Sequence, residues 1–346
     1  MPASGTLSRR AVVAGAAGVA AAGAMIRPAR AAPLSIRIGW ATMPGHLIPV
    51  LFDNPTQKGL KHYGKSYTVA PILFRGSSPQ LMAMAGQELD FFASAGSTLA
   101  LGVTNAHLDL QIVSDIIQDG VPGWHSDTWL VKADGPIRKI ADLKGKRIAT
   151  NAIGSASDTA MRGLLLRAGL VDKRDYVVIQ AAFNAMPSLL EKGEVDCSII
   201  LNPMLTAMLK TGKWRALFQG KDIFGASETI FLAGRASYLK KHQAVVADFM
   251  EDWVRSRRWF LDPKNRTAAI GIIARFMHIQ AAELSYVFTH EDYYRDPWSM
   301  PNLPGVQKPI DIAHQIGLLK QTITVSPGHA DLSFLTEAKK RITTPA

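Results

Sequence analysis

The chain has 346 residues, 47% of them hydrophobic, with 39 Lys and Arg against 28 Asp and Glu for a formal charge of +11. That length and apolar content suit one large domain or two mid-sized lobes with a real core. A single cysteine, Cys197, and nine histidines without metal-ligand spacing exclude an internal disulfide and a cysteine-built metal site, and the scattered basic residues argue against a nucleic-acid partner.

Ser8-Arg9-Arg10 precedes a run of Ala, Gly and Val over residues 11–26, and Ala29-Arg30-Ala31 follows. A charged head, a modest apolar middle and an A-x-A end predict a signal peptide over residues 1–31. The paired arginines predict export by the twin-arginine route. The apolar run is too short and too weakly apolar for a stable membrane anchor. Cleavage near Ala31 or Ala32 removes four arginines and takes the formal charge from +11 to about +7. No cysteine stands near that point to carry a lipid, so a free periplasmic protein is expected.

Leu34–Trp40 alternates apolar and polar residues and predicts the first strand; residues 67–74 predict a second. Ser78 reads as a helix N-cap, with Pro79 at the first helical position and Gly86 closing the helix. Residues 89–93 and 108–113 predict further strands. The segment Ile140 to Gly145 is a turn into a strand at residues 147–150. After Gly154 a helix carries Met161, Leu164, Leu165 and Ala168 on one face and stops at Gly169. Short Ile- and Val-rich runs alternating with helical patterns predict α/β organisation with largely parallel strands. One echo stands out: MAGQELD at residues 84–90 leads into Phe91-Phe92, and EKGEVD at residues 191–196 leads into Cys197-Ser198-Ile199-Ile200. Both read as helix, glycine cap, acidic turn and buried strand, as expected of two lobes built to one plan.

The run IADLKGKRIA at residues 140–149, followed by Gly154-Ser155 and a helix, resembles the second-lobe opening of the periplasmic sulfonate, taurine and nitrate binding proteins of ABC transporters. The Gly-Glu-x-Asp turn and a helical region at residues 245–260 are similar as well. The resemblance implies a type II periplasmic binding fold: two α/β lobes with mixed, mainly parallel sheets and a ligand shut in the cleft between them. Residues 34–125 and 233–346 would form lobe 1 and residues 126–232 lobe 2, with crossings near residues 126–131 and 230–234. It also implies a small anionic ligand, a membrane permease as partner, a monomer, and no cofactor or metal.

Open α/β sheets bind ligands beyond the carboxyl ends of their strands, where helix N-termini offer free N–H groups to an anion. Four loops meet that description. The first, after the first strand, offers Trp40, Met43 and His46. The second offers Ser77 beside Gly76, the third Ser94, Gly96 and Ser97, and the fourth Ser155, Ala156 and Ser157; Asn202 could add an amide. Ser78 and Ser155 are also good N-caps, and Ser155 with Asp158 resembles a capping box. Asp158 either caps its own helix or meets an amine on a zwitterionic ligand. Phe183 is read as core, and the aromatic run at residues 293–298 as helix packing. Arg75 at the end of the second strand would clamp a carboxylate, which makes an aromatic or other carboxylate the alternative ligand. The expected mechanism is closure: an oxyanion docks on Ser94, Gly96 and Ser97, and lobe 2 swings residues 155–157 onto it. The same fold resembles a sulfinate desulfinase and fungal pyrimidine synthases, so a secreted enzyme is the competing class. Residues 40–46 hold no cysteine, however, and Cys197 is predicted to be buried and inert.

Overall fold

Leu34–Trp40 forms β1, an inner strand of a first sheet, because Ile36 and Ile38 turn into the core while Ser35 and Arg37 face outward. The structure is a computed structural model that describes residues 32–52 and 60–344. The expected signal peptide therefore lies outside the described residues. Four more strands complete the sheet: Tyr67–Leu73 (β2), Phe91–Ser94 (β3), Leu110–Asp119 (β4) and Ser227–Arg235 (β10), in the order β2-β1-β3-β10-β4. The second sheet holds Thr128–Lys132 (β5), Lys146–Thr150 (β6), Tyr176–Gln180 (β7), Cys197–Ile200 (β8) and Trp214–Gln219 (β9), in the order β7-β6-β8-β5-β9. Each sheet has two parallel pairings, followed by two antiparallel pairings around one reversed strand, β10 or β5. Mixed sheets with most strands running one way are what the sequence predicts. The echoing segments end in β3 and β8, which occupy the same slot in the two sheets.

Two element bounds differ from expectation. The helix after β2 spans Ser77–Ala85 with Gly76 as its N-cap, two residues ahead of Ser78. Strand β4 runs to Asp119 rather than stopping near Val113, since its polar residues Ser114, Asp115, Gln118 and Asp119 are buried and paired with β10. Periodicity cannot see such residues, because their burial depends on partners far along the chain.

One core lies between the first sheet and the helix Gln243–Leu261, where Phe249 stacks on Phe52 and Phe91 and meets Tyr67 edge-on. A second packs the opposite face against the helices Ser77–Ala85, Gly96–Thr104 and Leu303–Gln315. A third fills the other lobe around Trp129, Met161 and Cys197. The helix Leu303–Gln315 packs on both Gly96–Thr104 and Ala156–Arg167, so it spans the two lobes. Gly96 is glycine because a Cβ there would lie 2.7 Å from the Val306 carbonyl. Among the described residues no helix is long and apolar enough to cross a membrane.

Candidate functional site

Buried Gln80 sets the first half of the site. Its side chain donates to the Gly76 carbonyl and accepts from the Ala93 N–H, which fixes the start of the helix Ser77–Ala85 against β3. No side chain caps that helix, and Pro79 brings no N–H, so the first-turn amides of Ser77 and Ser78 have no intrahelical partner. Ser77 is 3% exposed, and neither its Oγ nor that of Ser78 has a hydrogen-bond partner.

The helix Ala156–Arg167 supplies the other half. Ser155 takes the extended N-cap conformation but does not cap. Its hydroxyl and that of Ser157 both donate to Asn151 Oδ1, at 2.7 and 2.6 Å. Asn151 Nδ2 reaches across the cleft and donates to the Arg75 carbonyl at 2.9 Å, and Ser97 Oγ donates to the Gly154 carbonyl at 2.9 Å. Asp158 is held by the Gly154 N–H and by Arg162, so its carboxylate is spoken for.

Between the two helix starts lies a cavity, lined by Ala41, Thr42, His46, Gly76, Ser77, Ile117, Asp127, Asn151, Ser155, Ala156, Ser157, Phe183, Leu201, Thr229, Ile230 and Tyr293. Its water-accessible volume is about 50 Å³, room for roughly four waters or one small oxyanion. Most of these residues follow the carboxyl ends of β1, β2, β6, β7 and β8, the position an open α/β sheet gives its ligand, while Ile117, Asp127, Thr229, Ile230 and Tyr293 close the remaining wall. None of them is Lys or Arg, so the positive potential comes from two helix N-termini, roughly half an elementary charge each. His46 adds a donor. It is buried and its Nδ1 accepts from the Ala41 N–H at 3.2 Å, which places the proton of the neutral ring on Nε2. Burial, helped by Arg295, lowers its pKa to about 3, so the ring is neutral at neutral pH. Asp127 is the cavity's carboxyl. Burial pushes it up to about 6, against the pull of the Tyr293 hydroxyl that donates to it.

Of the predicted site residues, the structure brings His46, Ser77, Ser155, Ala156 and Ser157 to this cavity. Met43 and Asn202 line a smaller adjoining one that shares Thr42, Leu201 and Tyr293. Trp40 packs edge-on against Phe276 at 5.9 Å, and Arg75 is exposed, touching the cleft only through its carbonyl. Ser94 is fully buried and bonded to Thr98, while Gly96 and Ser97 serve helix packing and the inter-lobe contact. Lobe 1 thus contributes the start of Ser77–Ala85 to the cavity, not that of Gly96–Thr104. Phe183, read as core, is half-buried and lines the cavity. Asn151, Asp127 and Tyr293 were not singled out as ligand residues. Asn151 directly follows strand β6, a position that could have signalled it; nothing local marks Tyr293, 166 residues from Asp127.

Residues 108–265 match the family described as NMT1/THI5 like. A protein of Escherichia coli (strain K12) whose name assigns it to aliphatic sulfonates is 29% identical over 185 residues. The match covers 51% of this chain and 54% of the relative, so the chain spans about half the length of the curated relative it matches. Among solved structures, the alkanesulfonate-binding protein SsuA of Xanthomonas axonopodis pv. citri, bound to MOPS, superposes with a TM-score of 0.66 at 21% identity. That superposition covers 86% of this chain and 99% of the other. The periplasmic nitrate-binding protein NrtA of Synechocystis PCC 6803 gives 0.69 at 11% identity, covering 90% of each chain. The desulfurization enzyme DSZB gives 0.63 at 15%, covering 89% of this chain and 99% of the enzyme. At these identities the structural likeness establishes the fold alone.

Proposed function

We propose, from the match of residues 108–265 to the NMT1/THI5-like family and from the periplasmic binding-protein fold, that the chain is the substrate-binding component of an ABC importer for a small oxyanion. The observation that carries this is the pair of uncapped helix N-termini facing one small cavity, with the buried Ser77 hydroxyl unpartnered beside them. An anion would dock at the start of Ser77–Ala85, and lobe 2 would close the start of Ala156–Arg167 over it. Only differential affinity for the closed state can drive that change, and only the closed state would be handed to a membrane permease. The sulfonate and nitrate named for the relatives suggest the ligand class. A carboxylate clamp would need Arg75 to reorient from the surface.

We assign no reaction to the cavity. Cys197 sits in β8, away from it, and burial raises its thiol pKa, which suits a packing role. No turnover of sulfinates above a boiled control is expected. A monomer, free in the periplasm after twin-arginine export, completes the proposal; replacing Arg9 and Arg10 by Lys should strand precursor in the cytoplasm, and unchanged periplasmic yield would exclude that route.

Thermal-shift screening of sulfonates, nitrate, carboxylates and aromatic acids tests the main reading. A ligand present at a hundred times its Kd adds about 2.7 kcal/mol of stability. A response confined to neutral compounds would overturn it.

A further inference from the structure

We propose that the cavity takes up its anion together with one proton, and that Asp127, the carboxyl that lines the cavity along with both helix N-termini, is the residue that enforces this. The inference rests on the anion-site reading above and adds a rule for which anions bind and at what pH.

The electrostatics of the cavity decide the point. The two helix starts supply together about one elementary charge of positive potential, the Asp158 carboxylate in the first turn of Ala156–Arg167 being paired with Arg162, and among the described residues no Lys or Arg lines the walls. An ionised Asp127 cancels that potential, so a fully ionised sulfonate or nitrate would enter a small site with no net attraction. A protonated Asp127 restores it and adds an O–H donor. An oxyanion that keeps its own hydroxyl achieves the same balance with Asp127 ionised, by donating that proton to the carboxylate. Either way one proton accompanies one anion: from solvent onto Asp127, or on the ligand.

The surroundings of Asp127 keep its proton affinity within reach. Asp119, at the end of β4, accepts the Asp127 N–H, and burial together with the charge of Asp127 holds the Asp119 carboxyl well above the usual carboxylate range. Tyr293 donates to the carboxylate, and Asp292 lies beside Tyr293. His125, on the loop before β5, packs its ring edge on Tyr293 and is held neutral by burial, with Lys221 near it. His46, the remaining titratable wall, is neutral too. Arg295 is turned away, bonded to Asp292 and to the Pro44 and Gly45 carbonyls. Among the described residues no cation therefore pairs with Asp127, while burial raises its pKa to about 6, at the lower edge of the neutral range.

Calorimetric titration of the purified protein with methanesulfonate, between about pH 5 and about pH 8, tests the inference. Methanesulfonate stays ionised throughout, so affinity should fall about tenfold per pH unit above about pH 6, with about one proton taken up per anion. The proton count is read by repeating the titration in buffers of different ionisation heat. Methylphosphonate, the same shape with an O–H retained near neutral pH, should bind at least about tenfold tighter than methanesulfonate at pH ~7. Asp127→Asn should flatten the pH profile and erase the preference. Tyr293→Phe removes the bond that favours the carboxylate and should move the break to higher pH; it decides the matter with the proton count if Asp127→Asn fails to fold. Methanesulfonate binding that is strong and pH-independent would overturn the inference and leave the anion site standing. No binding of either probe by folded protein at any pH would overturn the anion site itself, and the inference with it.

Discussion

Ser157 stands in the first turn of Ala156–Arg167 with its hydroxyl given to Asn151. An aspartate there gains from the helix dipole but loses that bond, sets a buried carboxylate against Asn151 Oδ1 and lies beside Asp158, so it should destabilise the fold by about 1 kcal/mol or more. The same charge would face the bound anion. Ser157→Asp is therefore expected to cut oxyanion affinity by at least about tenfold, whereas Ser157→Ala, which loses the same bond without adding charge, should lower the unfolding midpoint but keep more of the affinity, a separation that calorimetry and thermal unfolding read together. Ser155→Ala removes one hydrogen bond to Asn151 and should cost on the order of 1 kcal/mol. His46 makes a pH prediction. Its pKa of about 3 in the fold lies below its unfolded value of about 6.5. Between those values the unfolded chain binds the extra proton, so stability falls as pH drops through that window. Against His46→Gln, the wild type should lose roughly 1.4 kcal/mol per pH unit on acidification below about pH 6.5, measured by urea unfolding at stepped pH; parallel curves for the two proteins would reject the neutral, buried imidazole.

The helix Gln243–Leu261 is fastened to the turn ahead of β2 by buried Asp252, with Glu251 and Asp248 reaching His62 beside it. Asp252, fully buried, accepts the N–H groups of Lys61, His62 and Tyr63 and the Tyr67 hydroxyl. Charged acceptors make the stronger hydrogen bonds, and removing this one strands three backbone donors. Asp252→Ala should cost at least about 3 kcal/mol, seen as a lower urea midpoint with an unchanged slope, and Asp252→Asn should recover part of the loss. A loss under about 1 kcal/mol would mean that water or a neighbour replaces the carboxylate.

At the scale of the molecule, closure depends on how near the lobes can come. Gly76 has an extended backbone, so its glycine is a matter of space: a Cβ would lie 2.4 Å from Asn151 Nδ2. Asn151 cannot yield cheaply, since it donates to Arg75 and accepts from Ser155 and Ser157. Gly76→Ala should therefore hold the lobes apart. In small-angle scattering the wild type should contract when ligand is added, whereas the variant keeps its larger radius and binds at least about tenfold more weakly. Equal contraction in both would move the closing contact elsewhere.

The sequence by itself determined the α/β class, the first two strands, the repeated plan of β3 and β8, and the serine-rich start of Ala156–Arg167 as half of a candidate anion site. Each rests on residues close in the chain, where period, glycine position and hydroxyl clustering act locally. Which lobe 1 helix faces that start was decided only by tertiary structure, because Ser77 and Ser97 look alike until Gly96 is seen pressed against Val306 and Ser97 bonded to Gly154. The same holds for Asp127. Its burial, its bond to Tyr293 and its place between two helix N-termini come from segments far apart in the chain, and a carboxyl's proton affinity is set by what folding packs around it.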